Sequence, residues 1–196
     1  MIDLTKMHDH LRHSFSSRKK KRLTSKKLNA AAVLVPLCYD GNEYHVLLTQ
    51  RSNKVFHHKG QIAFPGGKPH KADASLLDTA LRESWEEVGL SPEDVEVIGE
   101  LDDTATRTSG FSISPFVALI PYPYSFTRNH YEIDDILDVP LSVLTDPSNY
   151  TEQIVDDDGE PVTAFTYQHN GRIIWGATAS IIKQLLDTLR STRGAQ

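Results

Sequence analysis

The sequence predicts an α+β fold in which a mixed sheet is layered between helices. Three observations predict it. Short apolar runs bounded by turn residues recur along residues 30–175, as strands do. Residues 76–89 and 176–190 instead carry apolar positions at helical spacing. The order is mixed strands with two main helices and no internal repeat, which suggests helix–sheet–helix layering.

Residues 3–15 read as a short polar helix. The basic run Arg18-Lys19-Lys20-Lys21-Arg22, followed by Lys26-Lys27, reads as a solvated linker, with a phosphate- or partner-binding arm as the alternative. Residues 30–39 and 43–51 read as strands joined at Asp40-Gly41-Asn42, a turn signal that predicts a hairpin. Residues 61–64 make a third strand, stopped by Pro65-Gly66-Gly67. The helix over 76–89 has Leu77, Leu81, Trp85 and Val88 as its apolar stripe, Gly89 at its cap and Ser91-Pro92 as its stop. Residues 95–103 and 112–121 are the next strands, and 132–139 leads into a helical turn over 140–144. Residues 164–167 and 172–175 form a hairpin around His169-Asn170-Gly171. The closing helix over 176–190 presents Ile181, Ile182, Leu185, Leu186 and Leu189.

The 196 residues suffice for one domain with an appendage, and the charge divides in the same way. Residues 1–28 hold nine Lys and Arg against two Asp, a basic N-terminal extension. Residues 29–196 hold twelve basic and twenty-four acidic residues and are expected to form the functional domain. An acidic body argues against nucleic acid as the main partner. Cys38 is the only cysteine, so no internal disulfide is possible and a reducing compartment is expected. No 18-residue apolar run, secretory core or Ser-Lys-Leu ending is present, which places the expected location in the cytoplasm.

The segment Arg82-Glu83-Ser84-Trp85-Glu86-Glu87-Val88-Gly89-Leu90 carries the chemistry. Glu83 lies three and four residues from Glu86 and Glu87, so three carboxylates crowd one helix stripe. Such neighbours repel by about 0.2–0.5 kcal/mol per pair, and a hard divalent cation reverses that sign. A solvated helix face is the bland alternative. Against it stand Gly66-Gly67 upstream, where the absence of Cβ lets backbone approach a metal or phosphate, and Arg82 beside the glutamates.

This segment resembles the signature of the Nudix hydrolase family: Gly, five residues, Glu, seven residues, then Arg-Glu-apolar-x-Glu-Glu-x-Gly-apolar. The match runs from Arg82 to Leu90, with Ser84 at the apolar position. Gly67 to Arg82 is one residue longer than the pattern, and Asp73 stands in for the upstream glutamate. The resemblance implies a Nudix-type α/β/α sandwich and Mg²⁺ or Mn²⁺ bound by Glu83, Glu86, Glu87 and the Gly67 carbonyl. It further implies that Arg82 orients the glutamates and that a general base comes from the region of Glu132, with Asp134 and Asp135 as rivals.

A narrower resemblance is to coenzyme A diphosphatases. Leu47-Leu48-Thr49-Gln50-Arg51-Ser52, then His58, Gly60, Gln61 and Phe64-Pro65-Gly66-Gly67, are similar to that subfamily's extra signature, as is Ile174-Trp175-Gly176 with Thr178-Ala179. Phe56 and His70 depart from it, standing where the subfamily has Arg and Asp. Lys54, His57, His58 and Lys59 are candidates to supply the missing charge, and Phe56 could stack on a base. Arg51 reads as a substrate contact or a structural ion pair, His58 as a phosphate ligand or an orienter. Gln61 and Gly66 lie at the same place, and the polar loop 106–111, with Arg107, reads as a surface loop or a substrate contact. Cys38, in an apolar strand, reads as a buried small hydrophobe. The implied partner is a small nucleotide, with a homodimer open. Hydrolysis of ADP-ribose or a dinucleotide is the rival activity, and a non-catalytic nucleotide- or RNA-binding module the rival class.

Overall fold

The computed structural model describes residues 4–191 except 17, 26, 57, 107 and 158, so Lys26, His57 and Arg107 lie outside the described residues. The chain runs α1 (Leu4–Ser16), β1 (Asn29–Tyr39), β2 (Tyr44–Arg51), β3 (Ile62–Ala63), β4 (Gly66–Gly67) and α2 (Leu76–Val88). It continues with β5 (Glu96–Glu100), β6 (Thr104–Ala105), β7 (Phe111–Leu119), β8 (Ile133–Pro140) and α3 (Leu141–Thr145). The last elements are β9 (Tyr150–Asp157), β10 (Glu160–His169), β11 (Arg172–Trp175) and α4 (Gly176–Ser191).

The main sheet has the order β3-β2-β1-β7-β5, with β8 also on β2, β4 on β1 and β6 on β7. β1 runs parallel to β7 and the other pairings are antiparallel, so the sheet is mixed as expected. Successive side chains of a strand point to opposite faces, and β1 shows the consequence. Ala32, Leu34 and Cys38 join a core with Ala80, Val88 and Leu90 under α2. Val33, Val35 and Leu37 join the other core with Ile181, Ile182 and Leu185 of α4. Burial on both sides explains why β1 is an almost unbroken apolar run. Among the described residues no helix is long and apolar enough to cross a membrane.

Three expectations are corrected. Trp85 is 54% exposed and does not belong to the buried stripe. The face against the sheet is Ala80, Ser84 and Val88, at four-residue spacing, with Leu77 and Leu81 half-buried beside it. Small residues let helix and sheet approach closely. Ser84, polar yet fully buried, donates its hydroxyl to the Ala80 carbonyl at 2.7 Å and so carries no unpaired group into the core.

The second correction is an antiparallel sheet, β11-β10-β9, of which only the middle of β10 and β11 were expected. β9 and the start of β10 are largely exposed and rich in Glu, Asp and Thr, so no apolar alternation marks them.

The third concerns the basic segment, which is a solvated linker only in part: Lys19, Lys21 and Arg22 are exposed, whereas Arg18 and Lys20 are half-buried and paired. Leu11 and Phe15 of α1 are buried in the core under α4. Phe15 packs so tightly that a Cβ on Gly99 would lie 2.5 Å from it. Arg12 pairs with Glu96 at 2.6 Å, Arg18 with Asp102 at 2.7 Å, and Lys20 with both Glu100 and Asp103 at 2.7 and 2.8 Å. The opposite charges of extension and body meet here.

Candidate active site

The site is built where β4 pairs with the first half of β1. Gly66 and Gly67 pair antiparallel with Val33 and Ala32. Neither position has room for a side chain. A Cβ on Gly66, at φ +154°, would sit 2.3 Å from the Ala32 carbonyl oxygen. One on Gly67 would sit 2.5–2.7 Å from the Glu83 carboxyl group. The backbone of β4 therefore lies directly against the glutamates of α2. That helix starts at Ser75, whose hydroxyl accepts from the Asp78 N–H, and ends at Gly89 with φ +70°.

Glu87 is 2% exposed, with one oxygen accepting from the Gly66 N–H at 3.2 Å and the other 3.4 Å from Arg51 Nη1. Burial pushes its carboxyl up to about 8 against the pull of Arg51 and the Gly66 N–H, and Glu83 and Glu132 add to the rise. Glu83 is raised as well, mainly by burial, with Arg82 opposing and Glu86 and Glu132 contributing. Arg82 joins the cluster from outside: Nη1 donates to Glu83 at 2.9 Å and to Glu86 at 3.0 Å. Its Nε and Nη2 grip both oxygens of Asp73 at 3.0 Å, and Nη2 also reaches the Lys68 carbonyl at 3.1 Å. Asp73 is held well below the usual carboxylate range by Arg82 first, then by the His70 N–H and the Thr79 hydroxyl.

These residues fit a hard divalent cation. The donors are all oxygens, and burial leaves Glu83 and Glu87 short of positive charge. Among the described residues no three potential ligands are already gathered into a cage. Arg82 stands between Glu83 and Glu86 and takes part of their charge.

The other expected residues divide. Arg51 lies at the cluster, and its Nε is buried without a hydrogen-bond partner among the described residues, leaving a donor uncommitted. Glu132 is near enough for its charge to act on Glu83 and Glu87, whereas Asp134 accepts from the Asn53 N–H and Asp135 pairs with Arg172. His58 and Gln61 bond each other at 2.8 Å, and Lys54 reaches the His130 carbonyl rather than the carboxylates. Phe56 is 91% exposed on the same loop. Sequence reasoning missed Asn129, which binds both the end of α2 and Glu132. It belongs to no motif, and only proximity in the fold reveals it.

Comparison with known proteins shows the family and the fold. The NUDIX domain family model matches residues 28–132. The protein described as uncharacterized Nudix hydrolase NudL of Photorhabdus laumondii is 37% identical over 165 residues, covering 84% of this chain and 87% of its own. Its namesake in Yersinia enterocolitica is 37% identical over 79% of this chain and 78% of its own. The crystal structure of a MutT/nudix family protein from Enterococcus faecalis aligns with TM-score 0.54 and 18% identity over 95% of this chain and 68% of that one. A Nudix hydrolase from M. smegmatis, RenU, aligns with TM-score 0.53 and 19% identity over 83% and 86% of the two chains. With a carboxylate-lined helix, a glycine strand against it and an arginine clamp between, the chain belongs to the Nudix hydrolase family.

Proposed function

We propose that the protein hydrolyses the diphosphate linkage of a nucleoside diphosphate derivative, and that coenzyme A or an acyl-coenzyme A is the substrate. The observation that carries the hydrolysis is the burial of Glu83 and Glu87 against Gly66-Gly67, with Arg82 locked to Asp73 beside them. Glu83, Glu86, Glu87 and the Gly67 carbonyl would hold Mg²⁺ or Mn²⁺, which supplies charge neutralisation for the diphosphate and polarisation of the attacking water. Arg82 keeps the glutamates oriented. Arg51, held at the cluster by Glu87 and with part of its side chain exposed, meets a phosphate oxygen. Glu132 takes a proton from the water, the water oxygen bonds to phosphorus, and the anhydride P–O bond breaks with its electron pair on the departing phosphate.

The coenzyme A reading is supported by the run from Leu47 to Ser52 and by Phe64-Pro65-Gly66-Gly67. Its products are phosphopantetheine and adenosine 3′,5′-bisphosphate. A single buried cysteine suits the cytoplasm. The binding-module alternative has less support than the basic run suggests, because Arg18 and Lys20 are paired with acidic residues of the same chain and only Lys19, Lys21 and Arg22 of that run are exposed.

The test is to incubate the purified protein with coenzyme A, ADP-ribose or a dinucleoside polyphosphate, with Mg²⁺ or Mn²⁺, and resolve the products chromatographically. Release of adenosine 3′,5′-bisphosphate at the highest kcat/KM is the expected result. Faster cleavage of another substrate overturns the coenzyme A assignment alone. Full activity of Glu86→Gln and Glu87→Gln variants overturns the metal assignment.

A further inference from the structure

We infer that Asn129 is a positioning residue, which fixes the Glu132 carboxylate relative to the glutamate face of α2. This rests on the reading of Glu132 as the base.

The loop between β7 and β8 returns across the C-terminal end of α2. There the Thr127 N–H donates to the Val88 carbonyl and the Asn129 N–H to the Glu87 carbonyl, both at 2.9 Å. A helix leaves its last carbonyls without intrahelical partners, so this loop caps the helix that carries Glu87. The approach is close: a Cβ on Gly89 would come within 3.1 Å of Thr127. From that anchor the Asn129 side chain works in two directions. Its Oδ1 accepts from the Tyr131 N–H at 3.1 Å, closing a local turn. Its Nδ2 donates to Glu132 Oε1 at 3.1 Å.

The other end of the loop is tied as well. The Asn129 carbonyl accepts from the N–H groups of Glu132 and Ile133 at 2.9 and 2.8 Å, and the Glu132 carbonyl accepts from the Ser52 N–H at 2.7 Å. Ser52 follows Arg51, which contacts Glu87. Asn129 thus binds the main chain of Glu87 and the side chain of Glu132 with one residue. The charge of Glu132 acts on both Glu83 and Glu87, which puts the held carboxylate at the same site. One oxygen of Glu132 is engaged by the amide, and that bond sets the direction of the other.

A role limited to shaping the loop makes a different prediction from a role in aiming Glu132. Asn129→Asp separates them. It keeps the oxygen that accepts from Tyr131 and the backbone bonds to α2, but replaces the donor facing Glu132 with a charged acceptor. Steady-state kinetics on the best substrate of the panel above should show kcat reduced about tenfold or more, KM within about twofold, and a melting temperature within a few degrees of the unmodified protein. Asn129→Ala should lose both kcat and melting temperature. In a Glu132→Gln background, Asn129→Asp should cause no further loss, because the partner it acts through is gone. An unchanged kcat in Asn129→Asp, with Glu132→Gln inactive, overturns the positioning role and leaves the base in place. Full activity in Glu132→Gln overturns the base, and the positioning role with it.

Discussion

Replacing Glu87 by Gln tests the electrostatics of the site without any substrate. Glu87 is buried, and its carboxyl is raised from 4.5 to about 8. The folded state therefore binds this proton more tightly than the unfolded chain does. Its contribution to stability is fully present below pH 4.5 and is lost as pH rises through 8. Each unit in that window corresponds to about 1.4 kcal/mol, so the metal-free protein loses about 3 kcal/mol from this group by pH 7 and about 4 kcal/mol by pH 8. At about 2–4 °C per kcal/mol for a domain of this size, the melting temperature falls by about 10 °C between pH 5 and 8. His169, lowered by burial, acts the opposite way below its ordinary value, so the comparison with the variant isolates Glu87. Glu87→Gln has no proton to lose and should remove that slope. The two curves should cross: the variant equal or less stable near pH 5, where it gives up one acceptor, and more stable at pH 8. Mn²⁺ should raise the melting temperature of the unmodified protein more at pH 8 than at pH 6, because binding at lower pH must displace the proton. Thermal unfolding followed by circular dichroism from pH 5 to 9, first in chelator and then with Mn²⁺, measures all of this. Parallel curves for variant and unmodified protein would refute the account of Glu87.

Asp73→Asn should leave the protein folded but weaken Mn²⁺ binding by about 10–100-fold, because Arg82 loses its anchor and competes for Glu83 and Glu86; a metal titration followed by thermal shift checks it. Arg51→Ala should raise KM for the diphosphate substrate about tenfold or more and, because Arg51 also pairs with Glu87 and opposes the rise of its carboxyl, should move Mn²⁺ binding to higher pH; initial-rate kinetics and metal titrations at two pH values check both. Phe15→Ala should cost about 3–5 kcal/mol, as for other buried aromatic truncations, and lower the melting temperature by about 10 °C. A loss below about 1 kcal/mol would mean that α1 does not dock against β5 in solution.

What the sequence made legible follows the strength of each local signal. β1, β2 and α4 carry long apolar patterns, and all three lie within two residues of their expected bounds. The glutamate triad and Gly66-Gly67 were legible because spacing on one element fixes their relation, and the fold only had to join two short segments. β9 was not legible: its Ile154 is 78% exposed, and the strand is held by pairing with β10 rather than by apolar burial. Trp85 misled for the opposite reason. A large apolar side chain at helical spacing suggests burial, but Ala80 and Ser84 let the backbone of α2 come close enough that the core has no need of it. Asn129 and the partners of Lys20 are long-range relations, and no local pattern encodes them.

The two departures from the family signature each have a physical setting in this chain. An apolar residue at position 84 would fill the helix–sheet contact by volume. Ser84 takes less volume there and returns its hydroxyl to the helix backbone, so the contact carries no unpaired donor. The longer loop before Arg82 moves the upstream carboxylate, and a shorter side chain makes up the difference. Asp73 turns back on the loop through the His70 N–H and reaches Arg82 with both oxygens. Here a longer loop with a shorter acid delivers a bidentate grip. On the proposed mechanism the grip matters, because an arginine released from Asp73 would settle fully on Glu83 and Glu86 and compete with a cation there. In this chain the signature thus works as a set of contacts around Arg82, whose guanidinium bonds Asp73, Glu83 and Glu86 together.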